Sequence, residues 1–362
     1  MTAAERPLFA PCTIGPFTLR NRVVMAPMTR NRAPGAIPNA LMARYYRQRA
    51  SAGLIITEGT SPSPNGLGYA RIPGIFSRDQ AEGWKGVTAA VHEEGGTIFC
   101  QLMHTGRIGH PKNLPPGARL LAPSAVTAQG TIHAGSEGRV PFPPPHVMTE
   151  EDIREALREY GRACTNAIEA GFDGVELHGA NGYLIEEFLR PSTNMRTDAY
   201  GGAIEQRSRF ALEAAATAAK AIGRGRVGMR LSPFGVTNDM HDHEGMEQEY
   251  RYVAEELGRL GILYLHLVDP GATRAAPRLT GVTRTMRRVF PGAVILCGGY
   301  DAARAEADVA AGHADLIAAA RPFLANPDLP ERWRKGLAVN APDRATFYTD
   351  GEAGYTDYPA AT

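Results

Sequence analysis

Thr149-Glu-Glu-Asp-Ile-Arg-Glu-Ala-Leu-Arg-Glu-Tyr-Gly-Arg-Ala-Cys-Thr-Asn-Ala-Ile-Glu-Ala170 runs through Gly-Phe-Asp into Gly174-Val-Glu-Leu-His-Gly-Ala180. The first piece is amphipathic and opens on Thr149 with Asp152, a capping pair; the second is a short apolar run. Together they predict a helix feeding a buried strand. Working outward, the same alternation fills the chain. Strands are predicted at Arg22–Met28, Leu54–Thr60, Thr97–His104, Gly174–Ala180, Val227–Pro233, Leu263–Asp269, Val294–Tyr300 and Leu316–Pro322. Helices are predicted at Leu41–Ser51, Asp79–Glu94, Thr149–Ala170, Glu205–Ile222, Gln248–Leu260, Val282–Val289, Asp301–Ala311 and Asp328–Lys335. Eight strands, each followed by a helix, is the count of a (β/α)8 TIM barrel. A doubly wound open sheet is the alternative, because periodicity does not prove closure.

Two excursions stand outside this pattern. Residues 7–20 hold two short extended pieces around Gly15-Pro16, a predicted hairpin plug for the barrel's N-terminal end. Thr105–Val147 is rich in Pro and Gly, which predicts an active-site cover after the third strand. No Gly/Ser or charged linker divides the 362 residues, so 1–362 reads as one domain with 105–147 as a capping insertion.

Composition narrows the function. Apolar residues make up 43% and charged residues 21%, as in an ordinary globular enzyme. The 39 Lys+Arg balance 38 Asp+Glu, so nothing points to nucleic acid or an anionic membrane. No run approaches a membrane span, and Met-Thr-Ala-Ala-Glu-Arg is not a signal peptide. Cys12, Cys100, Cys164 and Cys297 form no CxxC pair, which argues against zinc or disulfides and suits a cytoplasmic enzyme. The lysines are Lys85, Lys112, Lys220 and Lys335, none at a strand end, so Schiff-base chemistry is a poor reading.

In such a barrel the chemistry lies at the C-terminal strand ends. Those positions offer Thr29, Gly59, Gln101, His104, His178, Asn181, Tyr183, Arg230, Gly298-Gly299 and Arg321. His178-Gly-Ala-Asn181-Gly-Tyr183 is the densest cluster. Two neutral donors beside a phenol suit a carbonyl oxygen gaining charge near a proton source. They could equally satisfy loop backbone groups. Gly298-Gly299 with Ala320-Arg321 suits a phosphate, though a double glycine is also an ordinary turn. Gly223-Arg-Gly225-Arg-Val-Gly228 matches GxGxxG but follows a helix and enters a strand, the wrong order for a dinucleotide fingerprint. Asp239-Met-His241-Asp242-His243-Glu244 reads as a solvated loop, and no metal site is expected.

The run Asn21-Arg-Val-Val-Met-Ala-Pro-Met-Thr-Arg30 resembles the first strand of the Old Yellow Enzyme family of flavin-dependent ene-reductases. So do Gln101-Leu-Met-His-Thr-Gly-Arg107, His178-Gly-Ala-Asn-Gly-Tyr-Leu-Ile-Glu-Glu-Phe-Leu189, Asn194–Gly202, Arg321–Leu329 and the tail from Phe347-Tyr348 to Pro359. Thr29 and the tail make the chain similar to the bacterial branch. The resemblance implies a barrel holding one noncovalent FMN at its mouth. Ala26, Pro27, Met28 and Thr29 would line the ring, with Gly59 packing against it. Gln101 would bond the pyrimidine edge and Arg230 would sit near N1 and O2, raising the reduction potential. Gly299, Ala320 and Arg321 would hold the phosphate. His178 and Asn181 would hold a substrate oxygen and Tyr183 would donate a proton, with Tyr69, Met103 and Tyr348 also facing substrate. Met103 stands where many relatives have tryptophan, and Ala320 where glycine is common.

The implied reaction is reduction of an activated alkene, an α,β-unsaturated carbonyl or nitroalkene, with NADPH or NADH as reductant. The alternatives are a pathway-specific reductase or isomerase of a bulky natural-product enone and a non-catalytic flavin-binding protein. Partners are expected to be small molecules alone, the protein acting as a monomer or homodimer.

Overall fold

A computed structural model describes residues 6–268 and 281–361. Eight parallel strands close on themselves: β1 Val23–Met25, β2 Leu54–Ile56, β3 Ile98–Leu102, β4 Gly174–Gly179, β5 Val227–Leu231, β6 Tyr264–Val268, β7 Ala293–Cys297 and β8 Leu316–Ala319. Pairing of Ile317 with Val23 joins β8 back to β1, which settles the barrel over the open sheet.

The helices are α1 Ala40–Arg47, α2 Arg78–Glu93, α3 Glu150–Glu169, α4 Leu184–Leu189, α5 Ile204–Ile222, α6 Met246–Leu260, α7 Gly281–Val289, α8 Ala302–Ala310, α9 Arg321–Ala325 and α10 Leu329–Lys335. The capping box at α3 forms as the sequence predicts: Asp152 N–H donates to Thr149 Oγ1 (3.1 Å), and Thr149 N–H donates to Asp152 Oδ2 (2.9 Å). All eight predicted strands exist, but most end two to four residues early. Their apolar run continues past the last ladder bond, where the chain turns into the mouth. The last shows this best. Its predicted span reaches Pro322, yet β8 stops at Ala319 and Arg321 opens α9, with Pro322 in the first turn, where proline suits a helix. Asp269, the last residue of the sixth predicted strand, lies outside the described residues.

The core has two layers. Between barrel and helices lie residues such as Tyr160, Phe188, Phe210 and Met229. Inside the barrel, Val24, Ala26, Leu54, Ile56, Phe99, Ile295, Leu316 and Ala318 meet Cys12, Ile14 and Leu19 of the hairpin Cys12–Ile14/Phe17–Leu19. Phe17 sets its ring 5.3 Å from Phe99, edge to face, so the predicted plug fills the N-terminal end. Gly15 makes its turn at φ +49°, where a Cβ would strike Leu263. The bottom is sealed, so the chemistry is left to the top.

Segment 105–147 carries the short pairings Leu121–Ala122 with His146–Val147 and Thr131–His133 with Arg139–Pro141. Buried Arg107 straps it to the loop after β5, donating to Val126 O (3.2 Å), Asn238 O and Asp239 O (both 3.1 Å). No described helix is long and apolar enough to cross a membrane.

Candidate active site

Side chains two apart on a strand share a face, so Glu176 and His178 of β4 both point into the barrel. Strand register then sets their neighbours. Gln101 of β3 lies opposite Glu176, while Arg230 of β5 lies opposite His178 on one side and His266 of β6 on the other. The Arg230 guanidinium is buried, 3.1 Å from His266 Nε2 and 3.8 Å from Cys297 Sγ. It makes no ion pair among the described residues, and its Nε is buried without a partner.

The β4–α4 loop gathers the phenol and the neutral donors. His178 and Tyr183 rings stand 5.0 Å apart, edge to face. Burial, with Arg230 and His266 adding repulsion, holds the His178 imidazole well below its ordinary pKa, and its Nδ1 is buried without a partner. His178 is therefore neutral and still carries one N–H. The Tyr183 hydroxyl lies 3.1 Å from that of Tyr69. Burial pushes the Tyr183 hydroxyl up, partly offset by hydrogen bonds from Tyr69 and Asn238, so it stays protonated near neutrality.

Asn181 sits at φ +60°, a left-handed conformation that asparagine tolerates. Its N–H donates to Ser232 Oγ (2.9 Å), and its carbonyl accepts from Asn238 Nδ2 (2.8 Å). Beneath it, Glu186 accepts from Gly182 N–H (2.7 Å), Ser232 Oγ (2.9 Å), Tyr250 hydroxyl (3.0 Å) and Arg190 Nη2 (2.7 Å). The loop is thus pinned from below by a buried ion pair.

The other predicted positions surround the mouth. Ala26 is buried, and Pro27, Met28 and Thr29 are half-buried at the end of β1. Gly59 follows β2, with the Met103 thioether in the space a Cβ would take. Met103 is 1% exposed and packs with Leu67, Ile72, Tyr69 and Tyr183, so it is more enclosed than a pocket-lining residue need be. Tyr348 is 61% exposed. Gly299 turns at φ +58°, whereas Ala320 at φ −96° lies outside the left-handed region that would call for glycine. Exposed Arg321 makes no hydrogen bond among the described residues.

His104 serves the loop itself: burial drives it down to about 4, and its Nδ1 accepts from Gly106 N–H (3.1 Å). In the acidic loop, His243 pairs with Glu249 (2.7 Å) and His241 with Asp239 (3.2 Å). A groove of about 780 Å³ between α2 and α3, lined by Lys85, Glu159 and Arg162 among others, lies on the outer face and gathers none of these groups.

Sequence reading missed Glu176, Glu186, Asn238 and His266. Two of them carried a signal: Glu176 and His266 each interrupt an apolar strand run, Val-Glu-Leu and Leu-His-Leu, where a charge is costly unless paired. Asn238 and Glu186 had none, since their roles depend on contacts distant in sequence.

These residues fit FMN. The buried Arg230 cation makes no ion pair among the described residues and keeps an orphaned Nε, as an anionic ring edge requires. Arg321, which follows Ala320 at the end of β8 and has no ion-pair partner among the described residues, offers a cation for a phosphate, with Gly299 after β7. Gln101 would hold the pyrimidine edge, and Ala26 to Thr29 with Gly59 would flank the ring.

Comparison with known proteins agrees. A family described as "NADH:flavin oxidoreductase / NADH oxidase family" matches residues 7–340. The chain is 42% identical over 367 residues to a probable flavin mononucleotide-dependent alkene reductase of Leishmania infantum, covering 99% of this chain and 100% of that protein. It is 40% identical to 12-oxophytodienoate reductase 2 of Arabidopsis thaliana, covering 98% of this chain and 96% of the other. The solved structure of morphinone reductase superposes with a TM-score of 0.94 at 45% identity, covering 99% and 98% of the two chains. The chain therefore belongs to the NADH:flavin oxidoreductase / NADH oxidase family, that of Old Yellow Enzyme, and is an oxidoreductase using FMN and a nicotinamide.

Proposed function

We propose that the protein reduces activated alkenes, α,β-unsaturated carbonyls and nitroalkenes, at the mouth of its barrel. The observation that carries this reading is the convergence of neutral His178, the Asn181 loop and protonated Tyr183 over the strand end that holds Arg230. When bound, FMN supplies the hydride, taken from NADPH or NADH and given to the alkene β-carbon. His178 and Asn181 donate hydrogen bonds to the substrate oxygen, polarising the alkene and holding the charge that develops there. Tyr183 gives its hydroxyl proton to the α-carbon. Tyr69 supports that hydroxyl, and Met103 and Tyr348 border the substrate. Arg230 compensates the negative charge the reduced ring edge acquires. Residues 105–147 cap the site as part of one 1–362 domain, acting in the cytoplasm as a monomer or homodimer.

Relatives named as alkene, 12-oxophytodienoate and morphinone reductases support alkene reduction, and a morphinone reductase structure in complex with tetrahydroNAD supports a nicotinamide reductant. The same names favour, as a second reading, a dedicated bulky substrate. The deciding experiment is to bleach the purified flavoprotein with NADPH or NADH anaerobically and add cyclic enones, maleimides, nitroalkenes and a polycyclic enone in turn. Reoxidation by small enones supports the first reading, and by the polycyclic enone alone the second. If none reoxidises the flavin, alkene reduction is excluded.

A further inference from the structure

Beneath the mouth, one buried carboxylate ties together the two groups that face the pyrimidine edge of FMN in the reading above, on which this inference rests. Glu176 is 0% exposed. Its Oε1 accepts from Gln101 Nε2 (2.8 Å), and its Oε2 lies 2.8 Å from His266 Nδ1 and 3.2 Å from the Tyr264 hydroxyl. His266 in turn carries Arg230, whose Nη1 is 3.1 Å from Nε2 and 3.4 Å from Nδ1 of the ring. A nitrogen so close to both ring nitrogens lies over the imidazole face, not at its edge.

Each contact fixes an orientation. An ionised carboxylate only accepts, so the Gln101 amide must turn its NH2 towards Glu176, leaving Oε1 and one N–H for an imide edge. By the same argument His266 keeps its proton on Nδ1, and the ring plane so fixed supports the Arg230 guanidinium. Burial pushes the Glu176 carboxyl up, but His266, Arg230 and Gln101 outweigh it and hold it below its ordinary range. A fully buried carboxylate is seldom a gain in stability over an apolar side chain of similar size. Its presence in the middle of a barrel strand calls for a different role.

We infer that Glu176, through Gln101 and His266, is the positioning residue that orients the ring-edge contacts and sets the reduction potential of the bound flavin. Its negative charge lies behind the Arg230 cation and opposes charge on the reduced ring. Glu176 thereby limits how far Arg230 can raise the potential, while holding Arg230 and Gln101 in register.

The test is the midpoint potential of the bound flavin, measured with the holoenzyme by dye equilibration at pH 6, below the value of about 7 to which Arg230 and His266 bring the Cys297 thiol against its burial. Glu176→Gln keeps the shape and an acceptor for Gln101 but removes the charge. It should raise the reduced-to-oxidised ratio at fixed reductant by about tenfold, the effect of one charge across two side chains at an effective dielectric of about 20. For a two-electron couple that is about 30 mV. Tyr264→Phe removes only a donor to the carboxylate, leaves its charge less compensated, and should move the ratio the other way by about threefold. If Glu176→Gln does not fold or hold FMN, Tyr264→Phe still carries the test. Shifts in the same direction, or potentials equal to wild type, would overturn the inference. Arg230→Lys separates the two ideas. If it alone moves the potential, the flavin edge is placed correctly and the Glu176 role fails; if no variant moves it, the placement itself is wrong.

Discussion

At the scale of single residues, the site depends on which groups hold protons. Tyr183 is kept protonated by burial, and His178 is kept neutral. Tyr183→Phe should leave flavin reduction by the nicotinamide near wild type while slowing reoxidation by 2-cyclohexenone about 10²–10⁴-fold, the usual size of a general-acid effect. Nitroalkenes should suffer less, because a nitronate can be protonated after release. Stopped-flow traces with both half-reactions unchanged would remove Tyr183 from the mechanism. His178→Ala should weaken the long-wavelength band that para-substituted phenols give as phenolates over the flavin, with FMN content preserved. Loss of FMN in that variant would make His178 a structural residue instead. The sequence made these groups visible because His178, Asn181 and Tyr183 lie within six positions of a strand end. Glu176 and His266 escaped notice because each looks, on its own strand, like one polar residue in an apolar run. Only the register across three strands makes them a unit.

At the scale of elements, Glu186 holds the loop after β4 to the rest of the barrel. It sits in the first turn of α4, pairs with Arg190 one turn on, and accepts from Gly182 N–H inside the loop. Both ionic side chains are buried. Glu186→Ala strands the Arg190 charge and should cost about 3–5 kcal/mol in stability. Released from its anchor, the Asn181–Tyr183 segment should also lose phenol binding, more than Glu186→Gln does. Denaturant melts and phenol titrations of both variants check this, and equal phenol affinity in wild type and Glu186→Ala would refute the anchoring role. This element was not legible beforehand: all six α4 residues are buried, so no polar face marks the helix. The long helices were legible because each keeps one apolar stripe and one wet one. The strand ends were overrun because apolar character outlasts hydrogen bonding where the chain bends into the mouth.

At the scale of the whole molecule, two buried carboxyls make stability depend on pH. Burial drives Glu58 up to about 7 and Glu187 up to about 8, against partial relief from Arg30 and Arg107 respectively. Above pH about 4.5 the unfolded chain has released protons that the folded chain still holds. The contribution of these two carboxyls to stability therefore falls as pH rises from about 5 to about 8, while buried, neutral His104 and His178 oppose it below about 6.5, where the unfolded imidazoles still hold protons. Relative to wild type, the holoenzyme carrying Glu58→Gln with Glu187→Gln should lose less Tm, by a few degrees, as pH rises from about 6.5 to about 8; parallel curves would contradict both assignments. Long-range closure is also where the tail acts. Arg30 Nη2 donates to Gly354 O (2.7 Å), Arg32 Nη2 to Ala353 O (3.1 Å), and Tyr355 stacks on Tyr45 with centroids 4.0 Å apart. The loop after β1 is thus held by the far end of the chain, which no local pattern announces. The plug at the opposite pole has a consequence for protein engineering. Because Cys12, Ile14 and Leu19 seal the floor at the N-terminal end, substitutions at the opposite mouth leave the packing of the plug itself untouched. Libraries that diversify half-buried Tyr69 and exposed Tyr348 should therefore keep that floor, whereas changes at buried Met103 repack its cluster with Leu67 and Ile72.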